Sequence, residues 1–136
     1  MTVSNDPLAR LVVDEAEINR ELLATVLEDK VRLDLRTGTF AFLPGTRDET
    51  SARGLVVTAL LAQQALHLLD QRHPAGLSPR EIEDSAGIQG GTIRPILKRL
   101  ADRRLIRKSD ENGVYTVPGY ALEDIAREFA SEGGSR

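Results

Sequence analysis

The chain contains no cysteine, which excludes disulfide scaffolds, cysteine-rich zinc sites and thiol nucleophiles. It also lacks a long apolar run. The longest uncharged stretch, residues 54–69, has 16 residues and includes Gln63, Gln64 and His67, too short and too polar to span a bilayer. The opening MTVSNDPLAR has no basic start followed by an apolar stretch, so no secretory leader is expected. No internal repeat is visible. The only low-complexity stretch is SEGGSR at 131–136, read as a disordered tail. A soluble, cytoplasmic protein is therefore the expectation. What is present is ordinary for a globular chain: 136 residues, 40% hydrophobic and 29% charged. That length supports a core burying roughly two-thirds of the unfolded surface.

Periodicity divides the chain. After a loose start at 1–13, Asp14 offers a helix N-cap with Glu17 three residues later. Ile18, Leu22, Leu23, Val26 and Leu27 then recur at helical spacing and predict an amphipathic helix over 15–29. Val31-Arg32-Leu33-Asp34-Leu35 alternates strictly, and Thr37-Gly38-Thr39 separates it from Phe40-Ala41-Phe42-Leu43. That pattern predicts a hairpin. Residues 46–52 read as a polar connection. Residues 53–71 form the most apolar segment, and a helix apolar nearly all round must be covered on several sides. Two sides fall to its own domain; the third falls to the N-terminal module, 14–45, or to a second copy of the chain.

The formal charge is −3, but it is segregated. Between 87 and 108 stand seven basic residues, Arg94, Lys98, Arg99, Arg103, Arg104, Arg107 and Lys108, against the single acid Asp102. A charge run of this kind is more often a solvated helix face than a binding surface. Here it coincides with a structural pattern. Ser78-Pro79-Arg80-Glu81 combines an N-cap serine, a proline at the first helical position and a capping-box glutamate. Gly87 marks a left-handed stop after Ala86. The turn Ile88-Gln89-Gly90-Gly91 leads to a second helix over 92–103, with Ile93, Ile96, Leu97 and Leu100 in one arc. Helix, short glycine-containing turn and helix is the helix-turn-helix pattern. Residues 105–109, an Asn112-Gly113 turn and 114–117 follow as a second hairpin. A closing helix takes 121–129.

Over about residues 53–117 the chain resembles the winged helix-turn-helix superfamily of prokaryotic regulators. The residues that carry this are Leu77-Ser78-Pro79-Arg80-Glu81-Ile82, Ala86-Gly87-Ile88, the run from Gly91 to Leu100, and Leu105-Ile106-Arg107-Lys108. The resemblance implies a winged domain at 53–130, and with the N-terminal helix and hairpin read from periodicity before it the fold expected is mainly α with a small β component (α+β). The resemblance also implies that the second helix lies in the DNA major groove while the wing follows the backbone. Gln89 and Arg94 then suit base edges, since glutamine pairs bidentately with adenine and arginine with guanine. Thr92 sits on the same outward face. Lys98, Arg99, Arg107 and Lys108 suit phosphates, which position without specifying sequence. Free N–H groups at the helix start offer a further phosphate site. Two features depart from the superfamily's pattern. Glu83 stands where a small residue commonly lets the helices approach, and Asp110-Glu111 puts acid at the expected wing tip.

The remaining candidates have plainer roles. His67 reads as a hydrogen-bonded core or interface histidine, and His73 has no partner motif, so neither a metal nor a cofactor is expected. Gln63 and Gln64 suit hydrogen bonds across a dimer seam, with an effector pocket as the weaker use. Tyr115 and Tyr120 suit packing of the wing and closing helix. No nucleophile, base and orienting group stand together, so no enzyme is expected. The reading is a sequence-specific double-stranded-DNA-binding regulator, homodimeric through helices 15–29 and 53–71. Its rival is a winged-helix adaptor that docks on a protein.

Overall fold

The computed structural model describes residues 7–11, 15–109 and 112–129. A 3-10 turn, Pro7–Leu11, precedes α1 (Glu15–Leu27), β1 (Val31–Asp34) and β2 (Thr39–Phe42). Next come α2 (Thr46–Glu49), α3 (Ala52–Leu69), α4 (Pro79–Ala86) and α5 (Gly90–Asp102). The chain closes with β3 (Arg107–Lys108), β4 (Tyr115–Thr116) and α6 (Gly119–Phe129). The fold is mainly helical with two small antiparallel sheets, β1–β2 and β3–β4. The expected N-cap Asp14, the wing tip Asp110-Glu111, most of the N-terminal segment and the tail 131–136 lie outside the described residues.

Helix α3 is the axis of the molecule. Ser51 caps it, its Oγ accepting from Gly54 N at 3.0 Å, and every residue from Gly54 to Gln63 is buried, as is Leu66. By length and composition α3 could cross a membrane, yet 61% of it is buried among neighbours within the chain. It packs on α1, both strands of the first hairpin, α4 and α5. The third side is thus covered by the N-terminal module of the same chain. Leu23, Val26 and Leu27 of α1 join one continuous core with Ile125 and Phe129 of α6. Burial of such side chains stabilises by about 1.5–3 kcal/mol each.

Helix α1 ends at Leu27, the last residue of its apolar pattern and two residues before the expected end at 29. Lys30, 1% exposed, folds back so that its Nζ donates to Val26 O at 3.1 Å and pairs with Asp29 at 3.2 Å. A cation on the last carbonyls suits the negative end of the helix dipole. The first hairpin pairs Val31 with Phe42 and Asp34 with Thr39. Phe40 and Phe42 share one face edge-to-face at 5.9 Å and pack on the core. The 46–52 connection is not wholly irregular, because Gly45, at φ 86°, redirects the chain into the single turn α2.

Helix α5 begins at Gly90, two residues before the expected start, because Gln89 serves as its N-cap and its carbonyl accepts from Ile93 N at 3.1 Å. At the other end Arg104 takes a left-handed φ of 61°. Leu105 N then reaches Leu100 O at 3.0 Å and Arg104 N reaches Ala101 O at 2.9 Å, the paired bonds of a Schellman stop. That reversal turns Leu105 and Ile106 into the core, which shortens the second hairpin to two residues per strand. Leu77 pairs with Tyr115 on the other edge of β4, so the chain before α4 joins this sheet. Gly76 permits the approach: a Cβ there would meet the Tyr115 carbonyl.

Candidate nucleic-acid interface

Two caps set the pose of α4. Ser78 Oγ accepts from Glu81 N at 3.2 Å, and Ser78 N donates to Glu81 Oε1 at 2.8 Å. Pro79 occupies the first turn, and Gly87 closes the helix at φ 69°. Ile82 and Ala86 are buried, as are Ile93, Ile96, Leu97 and Leu100 of α5, so α4, α5 and α3 lock through one apolar seam. The opposite face of α5 is left to solvent.

On that face stand Arg94, Lys98 and Arg99, while Arg107 and Lys108 lie beyond it on β3. Gln89, Thr92, Arg94, Lys98, Arg99, Arg107 and Lys108 are all exposed. None of these side chains makes a hydrogen bond or ion pair among the described residues. Arg94 and Lys98 are four apart and flank one side of the exposed arc, with Thr92 and Arg99 on the other. Pro95 lies between them on α5 and has no N–H to give the Gly91 carbonyl. Arg107 and Lys108 make up β3, opposite Thr116 and Tyr115.

One cation of the stripe is committed elsewhere. Arg103 holds Glu128 with two parallel bonds of 3.0 Å, and Arg53 of α3 binds the same carboxylate while lying over the Phe129 ring. Hydrogen bonding to Arg103 is the largest effect on the Glu128 carboxyl and, with the charges of Arg103 and Arg53, keeps it below the usual range against the opposing effect of burial. Arg103 therefore ties α5 to α6 and is not available to a ligand.

Glu83 sits at the head of α5. It is exposed, and its Oε2 lies against the first turn of α5, 3.1 Å from where a Cβ on Gly90 would stand. Glycine at 90 makes that room, and the carboxylate suits the positive end of α5. It also places an anion where a phosphate had been expected from the free N–H groups.

Arg47 was not anticipated. From α2 its guanidinium lies over Gly87, in the turn between α4 and α5; a Cβ on Gly87 would come within 3.0 Å of Arg47 Cζ. It is exposed and makes no hydrogen bond or ion pair among the described residues. Residues 46–49 carry no apolar period, so the only signal was one basic residue after Pro44-Gly45.

Other expectations are corrected. Gln63 Nε2 donates to Pro74 O at 2.7 Å, and Gln64 Oε1 accepts from Val117 N at 3.3 Å; both glutamines serve loops within the chain, not a seam between copies. His73 has a partner after all, its Nε2 at 2.5 Å from Leu35 O, while His67 Nδ1 meets His73 O at 2.8 Å. The two histidines fasten the α3–α4 loop to the first hairpin. Tyr115 packs on the core, but Tyr120 is 62% exposed. No protein family, curated protein or solved structure matches the chain.

Proposed function

We propose that this chain is a sequence-specific double-stranded-DNA-binding protein, a cytoplasmic transcriptional regulator that works as a homodimer. In this reading α4, α5 and the β3–β4 hairpin are a winged helix-turn-helix unit, with α5 in the major groove and the hairpin stem on the backbone. The observation that carries it is the set of exposed cations Arg94, Lys98, Arg99, Arg107 and Lys108, which have no partners among the described residues. The buried seam of Ile93, Ile96, Leu97 and Leu100 holds their backbone rigidly. Arg94 and Gln89 read bases, each good contact worth about 1–3 kcal/mol of discrimination. The other cations, with Arg47 on the turn, hold phosphates.

The formal charge of −3 does not oppose this. Screening confines each field to about 8–10 Å at physiological salt, so the local patch governs what approaches it. A second reading, a winged-helix adaptor for a protein partner, is favoured by Glu83 at the head of α5, where it repels a phosphate. Titration with random duplex DNA at low ionic strength separates the two. Nonspecific binding that weakens with salt, followed by enrichment of one motif from a random pool, supports the DNA reading. No binding at low salt sinks it.

A further inference from the structure

The DNA-facing surface leaves one apolar feature unexplained. A trough of about 370 Å³ runs between α1, β1 and the end of α3. Leu33 and Leu68 line its walls half-exposed, and Leu69 is 55% exposed. Along its α1 edge stand Arg20, Ala24 and Glu28, all exposed and spaced four apart. This edge spans about 12 Å, with a cation at one end, an anion at the other and a small residue between. Arg20 reaches Leu68 O at 2.7 Å at the first end. At the second, Arg32, the neighbour of Leu33, bonds the Glu28 carbonyl at 2.7 Å. The Glu28 carboxylate has no partner among the described residues.

That order of charges is self-complementary under one operation only. When a second copy of α1 is laid antiparallel about a two-fold axis at Ala24, Arg20 meets the partner's Glu28, and Glu28 meets the partner's Arg20. A parallel pairing would set arginine on arginine. The same rotation brings Leu33 over the partner's Leu68 and Leu69, covering the trough from both sides, and Ala24 allows close approach at the axis. We infer that this trough is the seam of a homodimer, an isologous contact in the sense required of a two-fold assembly. The inference gives a location to the second copy in the function proposed above and rests on that part of it, not on DNA binding.

Light scattering after size exclusion tests it on the full chain. The parent should show about twice the 14.9 kDa of one chain. Glu28→Arg, at an exposed position, should bring the mass down to that of one chain. The double variant Arg20→Glu with Glu28→Arg should restore the dimer, because the swapped charges pair again. Ala24→Arg, which leaves the Arg20–Leu68 bond in place, should dissociate it by setting two guanidinium groups on the axis. Circular dichroism and melting verify that each variant is folded. A parent that elutes as one chain overturns the inference, whether a small ligand or another protein fills the trough. So does a dimer untouched by Glu28→Arg or Ala24→Arg, or a folded double variant that stays monomeric. A monomer that still binds duplex DNA sinks the seam alone, and a dimer that ignores DNA sinks only the DNA reading.

Discussion

Replacing Lys98 and Arg103 separately with alanine gives the most discriminating test of the interface. Both are basic, both belong to the α5 region, and a charge count treats them alike. The structure does not. Lys98 is exposed and unpaired among the described residues, whereas Arg103 is bound twice to Glu128. Each phosphate neutralised on B-DNA contributes about 0.9 to the slope of log affinity against log salt. Arg47, Lys98, Arg99, Arg107 and Lys108, the cations assigned to phosphates, acting together give a slope of about −4.5 for one chain. Affinity should then fall about 500-fold between 50 and 200 mM salt. Lys98→Ala should flatten the slope to about −3.6 and the fall to about 150-fold. Arg103→Ala should leave the slope alone and lower the melting temperature instead, because it frees α6 from α5.

The assay is fluorescence anisotropy of a labelled random duplex across a salt series, with melting followed in parallel. Equal slopes for Lys98→Ala and the parent would show that the outward face of α5 does not meet phosphate. A slope reduced by Arg103→Ala as much as by Lys98→Ala would show that the Glu128 pair opens on binding and that Arg103 faces the ligand as Lys98 does. Arg94→Ala adds a third arm. Its loss should relax preference at one base step rather than weaken all duplexes alike.

Other expectations concern stability. Leu97→Ala empties a fully packed place between α3, α4 and α5 and should cost about 2–5 kcal/mol by chemical denaturation. Ser78→Ala removes one half of the capping box and should cost about 1 kcal/mol in the same measurement. Thr50→Val should be neutral or stabilising by about 1 kcal/mol, since the buried Thr50 Oγ1 has no hydrogen-bond partner among the described residues. For Glu128 the folded carboxyl titrates lower than the unfolded one. Its contribution is therefore present above the unfolded carboxylate range and is lost as pH falls through the folded value. Glu128→Gln should remove that part of the acid-side loss of stability in melts taken from pH 6 down to pH 3.

Local rules were strongest where one residue type has one physical use. Ser78, Pro79, Glu81 and Gly87 specify both ends of α4 from four positions, and all four act as the sequence implies. The arc of Ile93, Ile96, Leu97 and Leu100 likewise placed the buried face of α5, and with it the exposed cations. Sequence reasoning failed where a residue's use depends on a distant neighbour. Nothing near Arg103 announces Glu128, 25 positions away, and nothing near Arg47 announces Gly87. Lys30 is a further case: its Nζ is spent on the end of its own helix and its stem is buried, a use that hydropathy patterning treats as exposure. The missed α2 and the shortened second hairpin have different causes: α2 carries no apolar period to announce it, whereas Arg104 reverses the chain with a left-handed residue and so truncates a strand that periodicity alone would extend.

The segregation of charge takes on meaning once the pairs are assigned. Glu128 takes Arg53 and Arg103 out of play, and Glu83 shields the first turn of α5. What stays open is narrower than the stripe in the sequence: Arg94, Lys98 and Arg99 of α5, Arg104 in its stop, and Arg107 and Lys108 of β3, all exposed and without side-chain partners among the described residues. On the proposed DNA reading a polyanion is repelled by the acidic body and by the Glu83 carboxylate, and settles on the exposed cations Arg47, Arg94, Lys98, Arg99, Arg107 and Lys108. Such a restriction raises the fraction of encounters that begin in register. It also makes the acids part of specificity: Glu83→Gln should strengthen binding to every duplex while leaving the preferred motif unchanged, because it removes a repulsion that carries no information about the bases.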